Sequence, residues 1–311
     1  MVRFKQYINE NIGDLTGQVI VITGANSGIG FEASRFLAYR GATIVMACRN
    51  LEKAKISAEK IIEENSGAII HLLPYDQSSF ASIDNFIELL KQKFTRINVL
   101  ICNAGIYSPS RHAEMLPGLK LTIGTNFIGL YYLMRQITPY LDVKGVPTRV
   151  VFVSSLSAYH QPIRSLNYIL THNNSLFQQY ANSKLAINRL FHVLAAGMNL
   201  HDFQDRKNIS FYLMHPGVTS TNIIHNFPKW FADLGRFVLR IFVHHADKAA
   251  LGIALLAGAP HVFNGSYYVP RGFCEISGKP IKKTFPKRMI KGSGQFLYDV
   301  GKFVKQLEKG Q

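Results

Sequence analysis

An apolar run, Val19–Thr23, ends in Thr23-Gly24-Ala25-Asn26-Ser27-Gly28-Ile29-Gly30, and a segment of helical period begins at once. That segment, Ile29–Tyr39, places Ala33, Phe36 and Leu37 on one face. Glycines at this point let the backbone turn tightly and come close to a pyrophosphate. The helix that follows offers free N–H groups and the positive end of its dipole. A plain structural turn is the alternative reading. The position of the triplet, in the first strand-to-helix turn of an alternating chain, argues for an anionic ligand instead.

The alternation continues along the chain. Ala42–Ala47, Ala68–Leu73, Val99–Cys102, Arg149–Ser154 and Ile209–Met214 read as further strands, with Ser266–Val269 as a seventh at an edge. Leu51–Glu64, Ser79–Phe94, Leu119–Leu141 and Phe177–Met198 read as helices between them. Strands of nearly continuous Val and Ile are buried on both faces, as in parallel sheets. Strand and helix in alternation imply right-handed βαβ units. The expectation is an α/β chain forming one doubly wound domain over residues 1–311, with a mainly parallel sheet of about seven strands flanked by helices. Its core spans about 15–270. An extension from about 271 to 311 matches no readable motif.

With 47% apolar and 17% charged residues, the chain can build a sizeable core. The excess of 35 Lys+Arg over 19 Asp+Glu gives +16, which suits polyanions, anionic surfaces or a phosphate-bearing cofactor. No nucleic-acid-binding motif accompanies it, so no nucleic-acid partner is expected. Cys48, Cys102 and Cys274 are too few and too widely spaced for a disulfide framework or a zinc site, and no metal is expected. The first two lie in apolar runs and read as core. No secretory signal and no apolar stretch long enough to span a membrane is visible, so a cytoplasmic location is expected.

The spacing Thr-Gly-x-x-x-Gly-x-Gly resembles the pattern of the short-chain dehydrogenase/reductase family, over roughly Leu15 to Val269. That resemblance implies a Rossmann-type fold and an oxidoreductase. It assigns cofactor contacts to Gly24, Asn26, Ser27, Gly28, Ile29 and Gly30. After the second strand stands Cys48-Arg49-Asn50, with no acid to contact a ribose 2′-hydroxyl. Arg49 can hold a 2′-phosphate by a charge-assisted fork. NADP(H) is therefore favoured over NAD(H). Asp76 matches the family residue that contacts the adenine amino group, and Asn103-Ala104-Gly105 matches the turn beside the adenosine ribose. Cys102 stands where a second Asn is usual.

Tyr180 and Lys184 lie four residues apart on a predicted helix, hence on one face. Val153-Ser154-Ser155 resembles the family's catalytic serine segment, with Ser155 as the match, and Asn126 in Thr125-Asn126-Phe127-Ile128-Gly129 matches the family's helix asparagine. The resemblance thus implies a tetrad of Asn126, Ser155, Tyr180 and Lys184. The chemistry requires these types. A tyrosine of pKa ~10 is a poor acid or base near neutrality. Bringing it down by about three pH units takes about 4 kcal/mol. One ammonium at ~4 Å, in an effective dielectric near 20, supplies about that much. Lys184, aided by oxidised nicotinamide, is expected to be that charge. Ser155 would hydrogen-bond the substrate oxygen, and Asn126 would hold a water on the proton route through Lys184.

His215-Pro216-Gly217-Val218-Thr219-Ser220-Thr221 resembles the turn that holds the nicotinamide carboxamide, giving Pro216, Gly217, Thr219 and Thr221 as contacts. His215 reads as structural rather than as a base. Ser155 and Tyr180 are 25 residues apart, a gap longer than in many members. With Ala47-Cys48-Arg49-Asn50, it is similar to the retinol dehydrogenase and WW-domain oxidoreductase branch. The added loop, Leu156 to Leu176, would border the substrate. Pro228 to His245, within a segment of about 222–246, forms an amphipathic helix with Trp230, Phe231, Leu234, Phe237, Val238, Ile241 and Phe242. In the family this is the substrate lid, which implies a lipophilic alcohol and its ketone or aldehyde. A core-packed helix, or one lying on an anionic membrane surface, fits the same pattern. Members often pair as homodimers through the helices carrying Asn126 and Tyr180. The rival functional reading is a non-catalytic dinucleotide-binding sensor or scaffold.

Overall fold

The computed structural model describes residues 4–108, 110–162, 164–172, 174–203, 206–218 and 245–310. In chain order the first elements are α1 (Lys5–Asn11), β1 (Val19–Thr23), α2 (Gly28–Tyr39), β2 (Thr43–Cys48), α3 (Leu51–Glu64), β3 (Ile69–Pro74), α4 (Phe80–Lys93) and β4 (Val99–Cys102). A small hairpin of β5 (Glu114–Leu116) and β6 (Leu119–Lys120) follows. It leads into α5 (Leu121–Ile123), a π-helical turn (Gly124–Ile128) and α6 (Gly129–Leu141). Then come β7 (Thr148–Val153), α7 (Leu166–Thr171), α8 (Leu176–Ala195), β8 (Ile209–Met214), α9 (Ala246–Gly258), β9 (Tyr267–Pro270), β10 (Pro280–Lys283) and α10 (Ser293–Lys309).

Eight strands form one sheet in the order β10-β9-β8-β7-β4-β1-β2-β3. All neighbours run parallel except the β9–β10 pair. The chain builds outward from β1 through β2 to β3, then returns to β1's other side with β4 and builds the opposite way. This reversal between β1 and β4 opens the crevice where such sheets bind ligands. The seven-strand expectation is corrected to eight, and the strand expected at an edge is internal. β10 covers it, because Pro280–Lys283 pairs residue for residue with Tyr267–Pro270.

Two cores lie on the two faces of the sheet. Ile20, Ile22, Ile44 and Met46 point to one, with α2 and α9; Val21, Val45 and Leu100 point to the other, with α4, α6 and α8. Cys48 and Cys102 are buried in these cores as expected, and Cys274 is exposed. The Arg149 guanidinium donates to the carbonyls of Leu256, Ala257 and Ala259 at 2.8–3.3 Å. It thereby satisfies orphan acceptors at the end of α9.

The C-terminal extension, for which the sequence offered no motif, packs closely on the rest. Helix α10 buries Phe296, Leu297, Val300 and Val304. The Phe296 ring lies 5.8 Å from that of Phe127 and 4.4 Å from the Arg189 guanidinium. Gly301 passes so close to α6 that a Cβ there would be 2.9 Å from the Tyr131 hydroxyl and 2.7 Å from Asp202. Arg135 pairs with Glu308, and Lys305 with Asp202 at 3.0 Å. Among the described residues, no helix is long and apolar enough to cross a membrane.

Candidate active site

The glycine turn is built for backbone contact. Gly24 and Gly28 sit at φ +66° and +54°, where a side chain is strained. A Cβ on Gly30 would lie 2.4 Å from the Gly24 carbonyl oxygen, so only glycine permits this approach. Ser27, at the head of α2, makes no side-chain cap, which leaves the first N–H groups of the helix open. The β4 turn is stitched to this cradle. Thr23 Oγ1 accepts from the N–H groups of Asn103 and Ala104 at 3.0 and 2.9 Å. Asn103 Nδ2 donates to the carbonyls of Thr23 and Gly24 at 2.9 and 3.1 Å. Ser57 ties the Asn26 carbonyl at 3.0 Å. Ile29 follows half-buried in the first turn of α2. Arg49 is exposed directly after β2, next to Asn50, which caps α3. Asp76 uses one carboxylate oxygen to accept from the Ser78 backbone N–H at 2.9 Å and hydroxyl at 2.6 Å. These features fit a dinucleotide: a space that a Cβ would fill, open helix N–H groups, and an exposed cation past β2.

The tetrad residues come from three elements. The Ser175–Gln178 capping box starts α8, with Ser175 Oγ accepting from Gln178 N at 3.3 Å and Gln178 Oε1 from Ser175 N at 2.9 Å. One turn on, Tyr180 and Lys184 share a face, and the Lys184 Nζ lies 5.7 Å from the Tyr180 ring centre. Lys184 is 4% exposed and donates to the Val153 carbonyl at 3.0 Å. A Cβ on Gly105 would be 3.5 Å from this ammonium and 3.4 Å from Asn126 Oδ1, so the three residues converge. Asn126, fully buried, accepts from the Ile106 N–H at 2.7 Å and donates to the Ile106 carbonyl and to Ser183 Oγ at 2.9 and 3.1 Å. Ser183 in turn donates to the Tyr180 carbonyl at 2.7 Å. Ser155 caps a 3₁₀ turn, Leu156–His160, and its oxygen accepts from Ser157 N and Oγ at 3.2 and 3.0 Å. Ser155 also acts to lower the Tyr180 phenol.

Two expectations change. The helix expected as continuous over Leu119–Leu141 is interrupted by the π-helical turn that contains Asn126. Such turns mark functional segments, and this one has an identifiable partner. Buried Gln77 donates to the Thr125 carbonyl at 2.7 Å, and its own carbonyl occupies the place where a Cβ on Gly129 would stand, 1.9 Å away. Gln77 adjoins Asp76 in sequence, but nothing in the sequence pattern marks it. The second correction concerns acidity. Burial pushes the Tyr180 phenol up to about 12, against the Ser155 hydrogen bond that pulls it down, and burial brings Lys184 down to about 8. In the unliganded chain, burial therefore dominates the acidity of both groups. Tyr107, whose ring centre is 5.6 Å from that of Tyr180, adds to the rise.

His215 is fully buried after β8. Its Nδ1 accepts from the Gly217 N–H at 3.2 Å, which leaves Nε2 to donate to Glu275 at 2.7 Å. This agrees with a structural role. Pro216 and Gly217 form the turn, with Gly217 at φ +76°. Thr219, Thr221 and all but the last two residues of the expected lid lie outside the described residues. The 3₁₀ turn after Ser155 also walls a cavity of about 220 Å³ with Leu185, Arg288 and Met289.

Comparison with known proteins agrees with this geometry. The family model described as short chain dehydrogenase matches residues 18–231. A WW domain-containing oxidoreductase of Drosophila melanogaster is 32% identical over 85% of this chain, which spans 64% of that protein. Human retinol dehydrogenase 11 is 27% identical, with 88% of this chain and 84% of that one aligned. The crystal structure of an uncharacterised Mycobacterium paratuberculosis protein superposes with a TM-score of 0.71 at 25% identity, covering 96% of each chain. With the cradle at the β1–β4 crevice and the family match over most of its length, the chain belongs to the short-chain dehydrogenase/reductase family.

Proposed function

We propose that the protein is an NADP(H)-dependent oxidoreductase that interconverts a lipophilic alcohol and its ketone or aldehyde, with Tyr180 as acid/base. The observation that carries this reading is the convergence of Asn126, Lys184 and Gly105 beside the Asn103–Thr23 stitch of the glycine cradle. Bound nicotinamide supplies the hydride chemistry. The chain's own residues do the rest. Gly24, Asn26, Ser27, Gly28, Ile29 and Gly30 hold the pyrophosphate, Arg49 the 2′-phosphate, Asp76 the adenine, and Asn103, Ala104 and Gly105 the ribose. Ser155 and Tyr180 bind the substrate oxygen, and Tyr180 moves its proton. Lys184 donates to the ribose hydroxyls, and Asn126 fixes the Ile106 backbone beneath it. Pro216, Gly217, Thr219 and Thr221 hold the carboxamide. The cavity beside the Ser155 turn supports a substrate wall made from the added loop. Helix α10 lies over α6 and α8, so we propose that catalysis needs no pairing of two copies through those helices.

The test is a fluorescence titration of the protein with NADPH and NADH. NADPH should bind more tightly, and Arg49→Ala should remove most of that preference. Preference for NADH overturns the Arg49 assignment alone. Binding of neither cofactor overturns the enzyme reading.

A further inference from the structure

Past β9 the backbone turns through Cys274 and Glu275 at φ +47° and +59°, in the left-handed region. Non-glycine residues there are strained and persist when their surroundings hold them. Here the Glu275 carboxylate is the hold. It accepts from His215 Nε2 at 2.7 Å and from Lys283, and it adds to the burial that raises the Tyr159 phenol. The Tyr159 and Tyr267 hydroxyls share a hydrogen bond of 2.8 Å. His215 first, and Lys283 with it, hold the carboxyl down to about 2 against the burial that would raise it.

His215 and Tyr159 each belong to a part of the site. His215 accepts the Gly217 N–H, so the imidazole is locked between the turn and the carboxylate. The turn is held from the same side by the Ile276 carbonyl, which accepts from Val218 N at 3.0 Å and would be 2.2 Å from a Cβ on Gly217. Tyr159 lies in the short helix that Ser155 caps, and its ring packs edge-on against His215 at 5.8 Å. We infer that Glu275 is a positioning residue for the nicotinamide half of the site: through His215 it sets the Pro216–Gly217 turn, and through Tyr159 it sets the Ser155 helix. The C-terminal extension is then a working part of the site. The inference rests on the oxidoreductase reading above.

The experiment compares NADPH with 2′,5′-ADP, which fills only the adenosine end, by calorimetry on the full chain, together with steady-state kcat. Glu275→Ala should weaken NADPH binding about tenfold and lower kcat at least tenfold, with 2′,5′-ADP affinity within twofold of the parent. Glu275→Gln keeps an acceptor for His215 and should recover to within about threefold. Equal losses for NADPH and 2′,5′-ADP in Glu275→Ala would mean general loosening and would overturn the assignment, as would parent-like NADPH affinity and kcat. Should Glu275→Ala fail to fold, Tyr159→Phe carries the test: a fivefold fall in kcat with unchanged 2′,5′-ADP affinity supports the inference, and parent kcat overturns it. A parent protein that binds neither probe overturns the oxidoreductase reading and this inference with it. Parent binding with an unaffected Glu275→Ala overturns only the latter.

Discussion

Lys184→Met should make the protein more stable near neutral pH while removing its activity. Lys184 is 4% exposed, and among the described residues its ammonium has one protein acceptor, the Val153 carbonyl at 3.0 Å. No carboxylate pairs with it among the described residues. Burial lowers it from 10.5 to about 8, which corresponds to about 3 kcal/mol of penalty on the charged form at pH 7. Methionine removes that penalty and forfeits one hydrogen bond worth about 1 kcal/mol. The variant should therefore gain about 2 kcal/mol, or roughly 4 °C in Tm for a chain of this size. The pH dependence identifies the cause. Between about 8 and 10.5 the unfolded chain still carries the lysine proton and the folded one has released it, so parent stability rises with pH through that window. Buried tyrosines act in the opposite sense above pH 10, equally in both proteins, so pH 9.5 is the useful upper point. Urea unfolding followed by circular dichroism should show the 2 kcal/mol advantage of the variant at pH 7 shrinking to near zero at pH 9.5. A variant less stable than the parent at pH 7, or a gap that does not change with pH, would refute the reasoning.

Three further predictions follow from the same geometry. Tyr180→Phe keeps the ring against Tyr107 and removes the proton donor; turnover should fall by about 10²–10⁴, with NADPH affinity unchanged in a fluorescence titration. Gly30→Ala puts a Cβ 2.4 Å from the Gly24 carbonyl and 2.6 Å from Asn103 Nδ2. It should abolish measurable NADPH binding and cost about 1–3 kcal/mol in denaturant unfolding. Val300→Asp places a carboxylate at a fully buried position of α10; it should cost several kcal/mol and, by exposing α6 and α8, promote self-association in size-exclusion chromatography.

What the sequence made legible was whatever depends on local period and on motif spacing. The strand at Val19–Thr23 and the helix at Leu51–Glu64 match their structural bounds, because their apolar periods are clean and Asn50 caps the helix. β10 was not legible: Ile281 is its lone apolar residue apart from the proline, three of its four residues are exposed, and only pairing with β9 makes it a strand. α9 was missed for the opposite reason. Ala246–Gly258 is apolar nearly all round and buried, so it carries no amphipathic signal. α10 did have a readable stripe, in Phe296, Val300 and Val304, but no motif linked it to the site. The π-helical turn at Asn126 depends on Gln77, 48 residues away in sequence for the bonded Thr125 carbonyl, and such a contact leaves no local pattern.

The acidity of Tyr180 is where the motif and the structure part most clearly. Tyr-x-x-x-Lys promises a cation beside a phenol, and the geometry delivers one, with Lys184 Nζ 5.7 Å from the ring centre. Yet the burial that makes the pair effective also weakens it, raising the phenol to about 12 and lowering the amine to about 8. Taking the phenol from about 12 to near neutrality needs roughly 7 kcal/mol. That exceeds the roughly 4 kcal/mol that one charge at ~4 Å supplies in an effective dielectric near 20. On the proposed role of Tyr180 as acid/base, the remainder comes from charge and hydrogen bonds that arrive with the ligands. A chain arranged in this way keeps Tyr180 neutral until the site is filled. The pH profile of kcat for alcohol oxidation should then show an ionisation well below that of the phenol in the free protein, read by ultraviolet difference titration of Tyr180→Phe against the parent. Equal values in the two states would mean that the chain alone sets the acidity, and that burial costs the phenol far less than the structure implies.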